Sequence, residues 1–258
     1  MKTQRFDFAG AQGQRLAGRL DTPDDPPIAH ALFAHCFTCG KDVIAASRLA
    51  GALTARRIAV LRFDFTGLGA SEGEFGNGGF TSNIEDLIAA AAALRDAGQP
   101  PTILIGHSLG GAAVLAAAGA IAEARAVVTI GAPFDASHVL ALFHDQVPEI
   151  EAKGEAVVEL AGRPFTIRRR FVDDLRRHSQ ADRIAHLKKA LLVMHSPVDQ
   201  TVGVENAGAI FQHAHHPKSF VSLEDADHLL SRRHDADYVA SVIAAWVARY
   251  LPADAAHA

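Results

Sequence analysis

A serine enclosed by glycines at a change of local structure is the first part of this chain that could do chemistry. Gly106-His107-Ser108-Leu109-Gly110 follows the apolar run Thr102-Ile103-Leu104-Ile105 and precedes the small-residue run Ala112-Ala113-Val114-Leu115-Ala116-Ala117. The order reads as strand, sharp turn and helix. Such a turn holds a serine in a strained conformation that lifts its hydroxyl clear of the backbone, and the glycines remove side chains that would clash across it. Ser108 is therefore the predicted nucleophile.

A serine hydroxyl needs a base, and the base needs an acid to fix its tautomer. With this kind of turn the partners follow in the order serine, acid, histidine, so only residues after Ser108 qualify. Asp199, in Met194-His195-Ser196-Pro197-Val198-Asp199, follows the apolar run at 191–194, and His228, in Glu224-Asp225-Ala226-Asp227-His228, follows the run at 220–223. Both would project from strand ends on the side of the serine. Asp225 and Asp227 are rivals for the acid, but they precede His228 so closely that they would share its loop. Of the other histidines, His195 lies too near its strand and His234 near the start of the last helix. His213, His215 and His216 end a helix without acidic or cysteine partners, so no metal site is predicted.

The oxyanion of an acyl-transfer intermediate needs two donors. The predicted pair is the backbone N–H of Leu109 and that of Phe37, with Cys36 as the alternative, in the loop Ala34-His35-Cys36-Phe37-Thr38-Cys39-Gly40. His35 would orient this loop. The turn Asp64-Phe65-Thr66-Gly67-Leu68-Gly69-Ala70-Ser71 lacks phosphate-binding spacing and is expected to support it. Cys36, His107, Phe134, Leu140 and Phe143 are the predicted substrate-binding residues, with Phe165 nearby, forming an apolar acyl pocket. Cys36 and Cys39 are too few and too close to staple the fold, and two buried or inert thiols are expected. A dithiol–disulfide cycle that distorts the oxyanion loop is the alternative.

These residues need a scaffold that brings strand ends together. Apolar runs at 31–34, 58–63, 102–105, 127–130 and 191–194 alternate with helical segments, which predicts an α/β fold with a mostly parallel sheet covered by helices on both faces. An antiparallel hairpin over residues 5–20 leads into it. Ser82 and Glu85 suggest a capping box opening a helix that Gly98 and Pro100 close, and a last helix is expected over 238–250, with Trp246 in its core stripe. The alternation fails at about 134–189, so one domain over 1–258 is expected to carry a small cap insertion there, with a hairpin at 156–167 and short helices at 139–143 and 171–175.

The net charge of −4, with Arg168-Arg169-Arg170 and Arg176-Arg177 interleaved with acidic and apolar residues, speaks against nucleic acid. The N-terminus does not resemble a secretory signal, and no apolar run is long enough to span a bilayer, so a cytoplasmic protein without a membrane partner is expected. Nothing calls for a cofactor.

The chain resembles the α/β-hydrolase superfamily, through His35-Cys36-Phe37-Thr38, the turn from Asp64 to Ser71, Gly106 to Gly110, Asp199 and His228. The longer stretches Phe33-Ala34-His35-Cys36-Phe37-Thr38-Cys39-Gly40-Lys41-Asp42 and Leu61-Arg62-Phe63-Asp64-Phe65-Thr66-Gly67-Leu68-Gly69 look like the hydrolase half of bacterial fusions with an OsmC-type peroxide-reductase domain. They are also similar to cinnamoyl and feruloyl esterases, although Cys36 and Cys39 stand where those usually have glycine. The chain ends at Ala258 with no OsmC-like domain, so it is expected to be a free-standing relative or one part of a longer protein, with such a domain as a possible partner. The resemblance implies a serine carboxylesterase acting on small or medium acyl or aromatic esters. Thioester hydrolysis, acyl transfer, peracid formation, or a redox-linked accessory role are the alternatives.

Overall fold

Five apolar runs become the centre of one sheet. In a computed structural model of the protein, residues 1–37, 39–160 and 162–251 are described. Thr38 of the predicted oxyanion segment, Ala161 of the predicted hairpin and the terminal 252–258 lie outside these residues. With strands and helices numbered in chain order, β1 (Lys2–Arg5) pairs antiparallel with β4 (Gly18–Thr22), and β2 (Phe8–Ala9) with β3 (Arg15–Leu16). The predicted opening hairpin is thus present as two separate pairs. The chain then forms β5 (Ala29–Ala34), α1 (Ile44–Thr54), β6 (Ile58–Phe63), α2 (Phe80–Asp96), β7 (Ile103–His107), α3 (Leu109–Ala117) and β8 (Ala126–Ile130). After an insertion come β11 (Ala190–His195), α7 (Glu205–His213), β12 (Lys218–Ser222) and α8 (Arg233–Val247).

Among the described residues the main sheet has eight strands in the order β1-β4-β6-β5-β7-β8-β11-β12. From β6 to β12 every pairing is parallel. Every residue of β6, β7, β8 and β11 is buried, as a parallel sheet covered on both faces requires. Alternate residues serve opposite faces: Leu32, Leu61, Phe63 and Leu104 pack with Leu87 and Leu94 of α2, while Phe33, Val60, Ile105 and Ile130 pack with Leu49 of α1 and Val239 and Ile243 of α8.

Local signals misplaced some boundaries. α2 begins at Phe80, so Ser82 is its third residue and not its cap; Ser82 Oγ accepts the Gly79 N–H at 3.0 Å. Asp174 also closes this end, accepting the Thr81 N–H at 2.8 Å from a distant element. α8 starts at Arg233, earlier than expected, because Arg232, Arg233 and Asp235 carry no apolar signal. Trp246 is half-buried, and its Nε1 donates to Ser219 Oγ at 3.0 Å.

Between β8 and β11 lie a 3-10 segment (Ala136–Gln146), α4 (Val147–Lys153), the antiparallel pair β9 (Glu155–Leu160) and β10 (Arg163–Arg168), α5 (Arg169–Arg177) and α6 (Ala181–Ala185). The hairpin and the helix at 171–175 are where the sequence puts them. The helix expected at 139–143 is instead a 3-10 segment with a break at Phe143, whose φ of −144° is not helical. Phe75 ties this insertion to the rest of the protein, its ring centroid 4.8 Å from Phe165 and 5.6 Å from Phe171. Among the described residues no helix is long and apolar enough to cross a membrane.

Candidate active site

Ser108 sits between β7 and α3 with φ 54° and ψ −127°, a strained backbone for a residue with a side chain. Neighbours too close for side chains hold it there. A Cβ on Gly106 would overlap the Gly110 carbonyl oxygen, and one on Gly110 would overlap the carbonyl oxygens of Ala34 and His35. Gly110 therefore does more than relieve the turn, because it lets α3 press against the end of β5. Leu109 is the first residue of α3, so its N–H is among those a helix leaves without an internal partner.

His228 and Asp199 are 29 residues apart in sequence, and His228 Nδ1 lies 2.7 Å from Asp199 Oδ2. Asp199 follows β11 and His228 follows β12, and because these strands are parallel neighbours their C-terminal loops emerge side by side. The carboxylate also accepts the N–H groups of Thr201 at 2.8 Å and Val202 at 2.9 Å. Burial works against ionisation of Asp199, but the hydrogen bonds from His228, Val202 and Thr201 outweigh it and hold the carboxyl below its ordinary pKa. Gly131, with φ 54°, passes beneath the pair, and a Cβ there would stand 3.3 Å from Asp199 Oδ2 and 3.4 Å from His228 Nδ1.

The rivals are occupied elsewhere. Asp227 accepts the Leu229 N–H at 2.9 Å within its own loop, and Asp225 pairs with Arg232 at 2.7 Å. His195 Nε2 donates to the Val202 carbonyl at 2.7 Å. His213 Nδ1 lies 2.9 Å from the Ala209 carbonyl of its own helix.

Ser108 and His228 line a cavity of about 630 Å3, whose wall also includes Cys36, Phe37, Gly69 and Thr201. From the insertion come Leu142, Glu159, Leu160 and Arg163. Of the predicted substrate-binding residues, Cys36 is in this wall; Phe134, Leu140 and Phe143 are not, and His107 lines a neighbouring cavity. The correction follows from the break at Phe143. A regular helix would align Leu140 and Phe143 on one face, whereas the 3-10 segment turns Phe143 into the core and leaves Leu142, 51% exposed, at the cavity. Phe134 packs on His213 with ring centroids 4.9 Å apart, and Phe165 on Phe75. The hairpin was expected, but the residues by which it reaches the cavity are the cross-strand neighbours Leu160 and Arg163 and not Phe165.

The loop after β5 is fastened at several points. Phe37 packs on Phe75 and Phe171, with ring centroids 5.5 and 6.0 Å away. Asp64 accepts the Lys41 N–H at 2.6 Å, the Lys41 ammonium at 2.7 Å and the Ala70 N–H at 2.9 Å, joining this loop to the turn after β6. Burial opposes charge on Asp64, but these donors hold its pKa below the ordinary value. Cys36 and Cys39 are not free thiols: they form a disulfide, with Cα atoms 5.3 Å apart. Their short spacing, which argued against a fold-wide staple, suits a local loop closure in which the Cys39 N–H also bonds the Cys36 carbonyl at 3.1 Å.

Comparison with known proteins agrees with this architecture. The esterase domain of a Rhodothermus marinus protein is similar at 48% identity and a TM-score of 0.78, over 98% of this chain and 100% of that one. The α/β hydrolase GrgF from Penicillium sp. sh18 shares the fold at 16% identity and a TM-score of 0.81, covering 97% of this chain and 99% of that one. Est1E from Butyrivibrio proteoclasticus, solved with ferulic acid bound, shares it at 19% identity and a TM-score of 0.73, covering 96% and 98%. Among curated proteins, none matches. The model of the alpha/beta hydrolase family matches residues 31–242, and the chain belongs to that family.

Proposed function

We propose that the protein is a serine carboxylesterase in which Ser108 is the nucleophile, His228 the general base and acid, and Asp199 the group that orients His228. The hydrogen bond between His228 and Asp199, together with a strained Ser108 that lines the same cavity as His228, supports this reading. Ser108 Oγ attacks the ester carbonyl carbon as its proton passes to His228 Nε2. The oxyanion is stabilised by the N–H groups of Leu109 and Phe37. Collapse of the intermediate breaks the bond to the alcohol, which takes the proton from His228 and leaves an acyl-enzyme. Water, deprotonated by His228, then repeats the attack and releases the acid and Ser108.

The segment from the 3-10 turn to α6 acts in this reading as a cap, since Leu142, Glu159, Leu160 and Arg163 contribute to the cavity that contains Ser108. The similarity to an esterase domain at 48% identity favours ester substrates over other acyl chemistry. The test is hydrolysis of p-nitrophenyl esters, from acetyl to long acyl chains and a cinnamate, by wild type and Ser108→Ala. Activity lost by several orders of magnitude in a folded Ser108→Ala protein is expected; equal activity in the two would refute the reading.

A further inference from the structure

A second cavity, of about 510 Å3, adjoins the one that contains Ser108. The two share Cys36, Cys39, Val43 and Leu229 as wall residues, so a disulfide and two apolar side chains form the partition. Beyond it His107, Asp42 and Arg48 line the cavity together with the apolar Phe33 and Ile130 from strand ends and Ala46 and Leu49 from α1. These apolar residues are buried, yet the mouth is open: Ile44 is 66% exposed and Leu229 52% exposed. The volume falls within the range of small-ligand sites, and large apolar side chains held at an open mouth mark a surface suited to an apolar occupant. The histidine in its wall suits such an occupant too, because burial pushes the His107 pKa down to about 4 and leaves the ring uncharged near neutrality.

We propose that this second cavity receives the hydrocarbon tail of a medium-chain acyl group whose ester carbonyl is held at Ser108. The inference rests on the esterase reading above and names its substrate class. Its position favours the acyl side of the ester. Cys36 and His107 line it, and they directly precede Phe37 and Ser108, the two residues that address the carbonyl in that reading. The alcohol, which His228 protonates, is assigned in turn to the part of the first cavity lined by Leu142, Leu160 and Arg163, none of which reaches the second. The tail would cross the partition at Leu229 and Val43, since the disulfide fixes the remainder.

Filling the cavity tests this. Ala45→Phe projects a ring from the half-buried side of α1, and Ile44→Trp covers the mouth from an exposed position that the fold tolerates. The reading is the ratio of kcat/KM for p-nitrophenyl octanoate to that for the acetate. Each buried methylene is worth about fourfold, so the wild-type ratio should exceed ten and fall at least tenfold in both variants. Calorimetry with octanoate and the Ser108→Ala protein should show binding that Ala45→Phe weakens by a similar factor. An unchanged ratio in folded variants that still hydrolyse the acetate would overturn the assignment. So would a loss seen with octyl acetate and not with the octanoate ester. Failure of folded wild type to hydrolyse even the acetate would instead strike at the esterase reading, which separates the two failures.

Discussion

His107 Nε2 lies 2.6 Å from the carbonyl oxygen of His228, a residue 121 positions away. The residue before the proposed nucleophile thus anchors the backbone of the proposed base, and their rings lie 5.0 Å apart between centroids. Burial first, and the neighbouring His228 next, hold the His107 pKa at about 4, so its ring is neutral and donates to that carbonyl. His107→Phe leaves a buried carbonyl unpaired, which costs about 1–3 kcal/mol, and kcat should fall at least tenfold. His107→Gln keeps a donor and should recover most of the rate. The native state binds fewer protons at His107 than the unfolded chain between about pH 6.5 and pH 4, so its stability is lost as pH falls through that window. Denaturation curves should show this acid-side loss reduced in His107→Gln.

Gly110→Ala tests the contact between α3 and the end of β5. The new methyl group would overlap the carbonyl oxygens of Ala34 and His35, which are backbone atoms leading into the Phe37 loop. Overpacking of this kind costs about 1–3 kcal/mol. We expect a lower Tm and an activity loss larger than that fall explains, because the displaced loop carries one proposed oxyanion donor. Full activity with an unchanged Tm would contradict the arrangement.

Asp86 gives a pH dependence of stability away from the site. Burial raises its pKa to about 6, although it accepts the Thr66 N–H at 2.8 Å and the Thr66 hydroxyl at 3.0 Å. The native state therefore holds a proton that the unfolded chain has released between about pH 4 and pH 6, and stability from this group is lost as pH rises through that window. The shift corresponds to about 3 kcal/mol. Asp86→Asn, which can still bond Thr66, should gain stability relative to wild type between pH 4 and pH 7 in urea titrations. A stability difference independent of pH would disprove the account.

The disulfide brackets Phe37, so reducing it should act on catalysis as well as on stability. Closing so short a loop stabilises by about 2 kcal/mol in the chain-entropy model. Cys39→Ser should lower Tm and reduce kcat at temperatures where the protein remains folded, and dithiothreitol should do the same to wild type. Equal turnover with and without reductant, in protein verified by mass spectrometry to contain the bond, would show that the loop holds its shape without it.

Much of the scaffold was legible because parallel strands buried on both faces must be continuous apolar runs, and five of them were. Glycines around Ser108 marked the turn for a similar reason, since each excludes a side chain from a specific backbone contact. α1 was expected only as a helical segment between two strands, without bounds, and the first turn of α2 was misread because its end is closed by Asp174, from far along the chain.

The pocket was less legible, since its walls depend on packing between distant elements. Leu142 faces the cavity, and Phe143 does not, only because the 3-10 segment breaks where it meets the core. Gly131 carries no motif, yet it passes beneath His228 and Asp199. The amino-acid sequence by itself determined the order of elements and the residue types able to perform acyl chemistry, because periodicity and turn geometry are local. Tertiary structure alone decided that His107 holds the backbone of His228, that Cys36 bonds Cys39, and that a second, mainly apolar cavity lies behind them, because those relations arise where neighbouring strand ends and their loops converge.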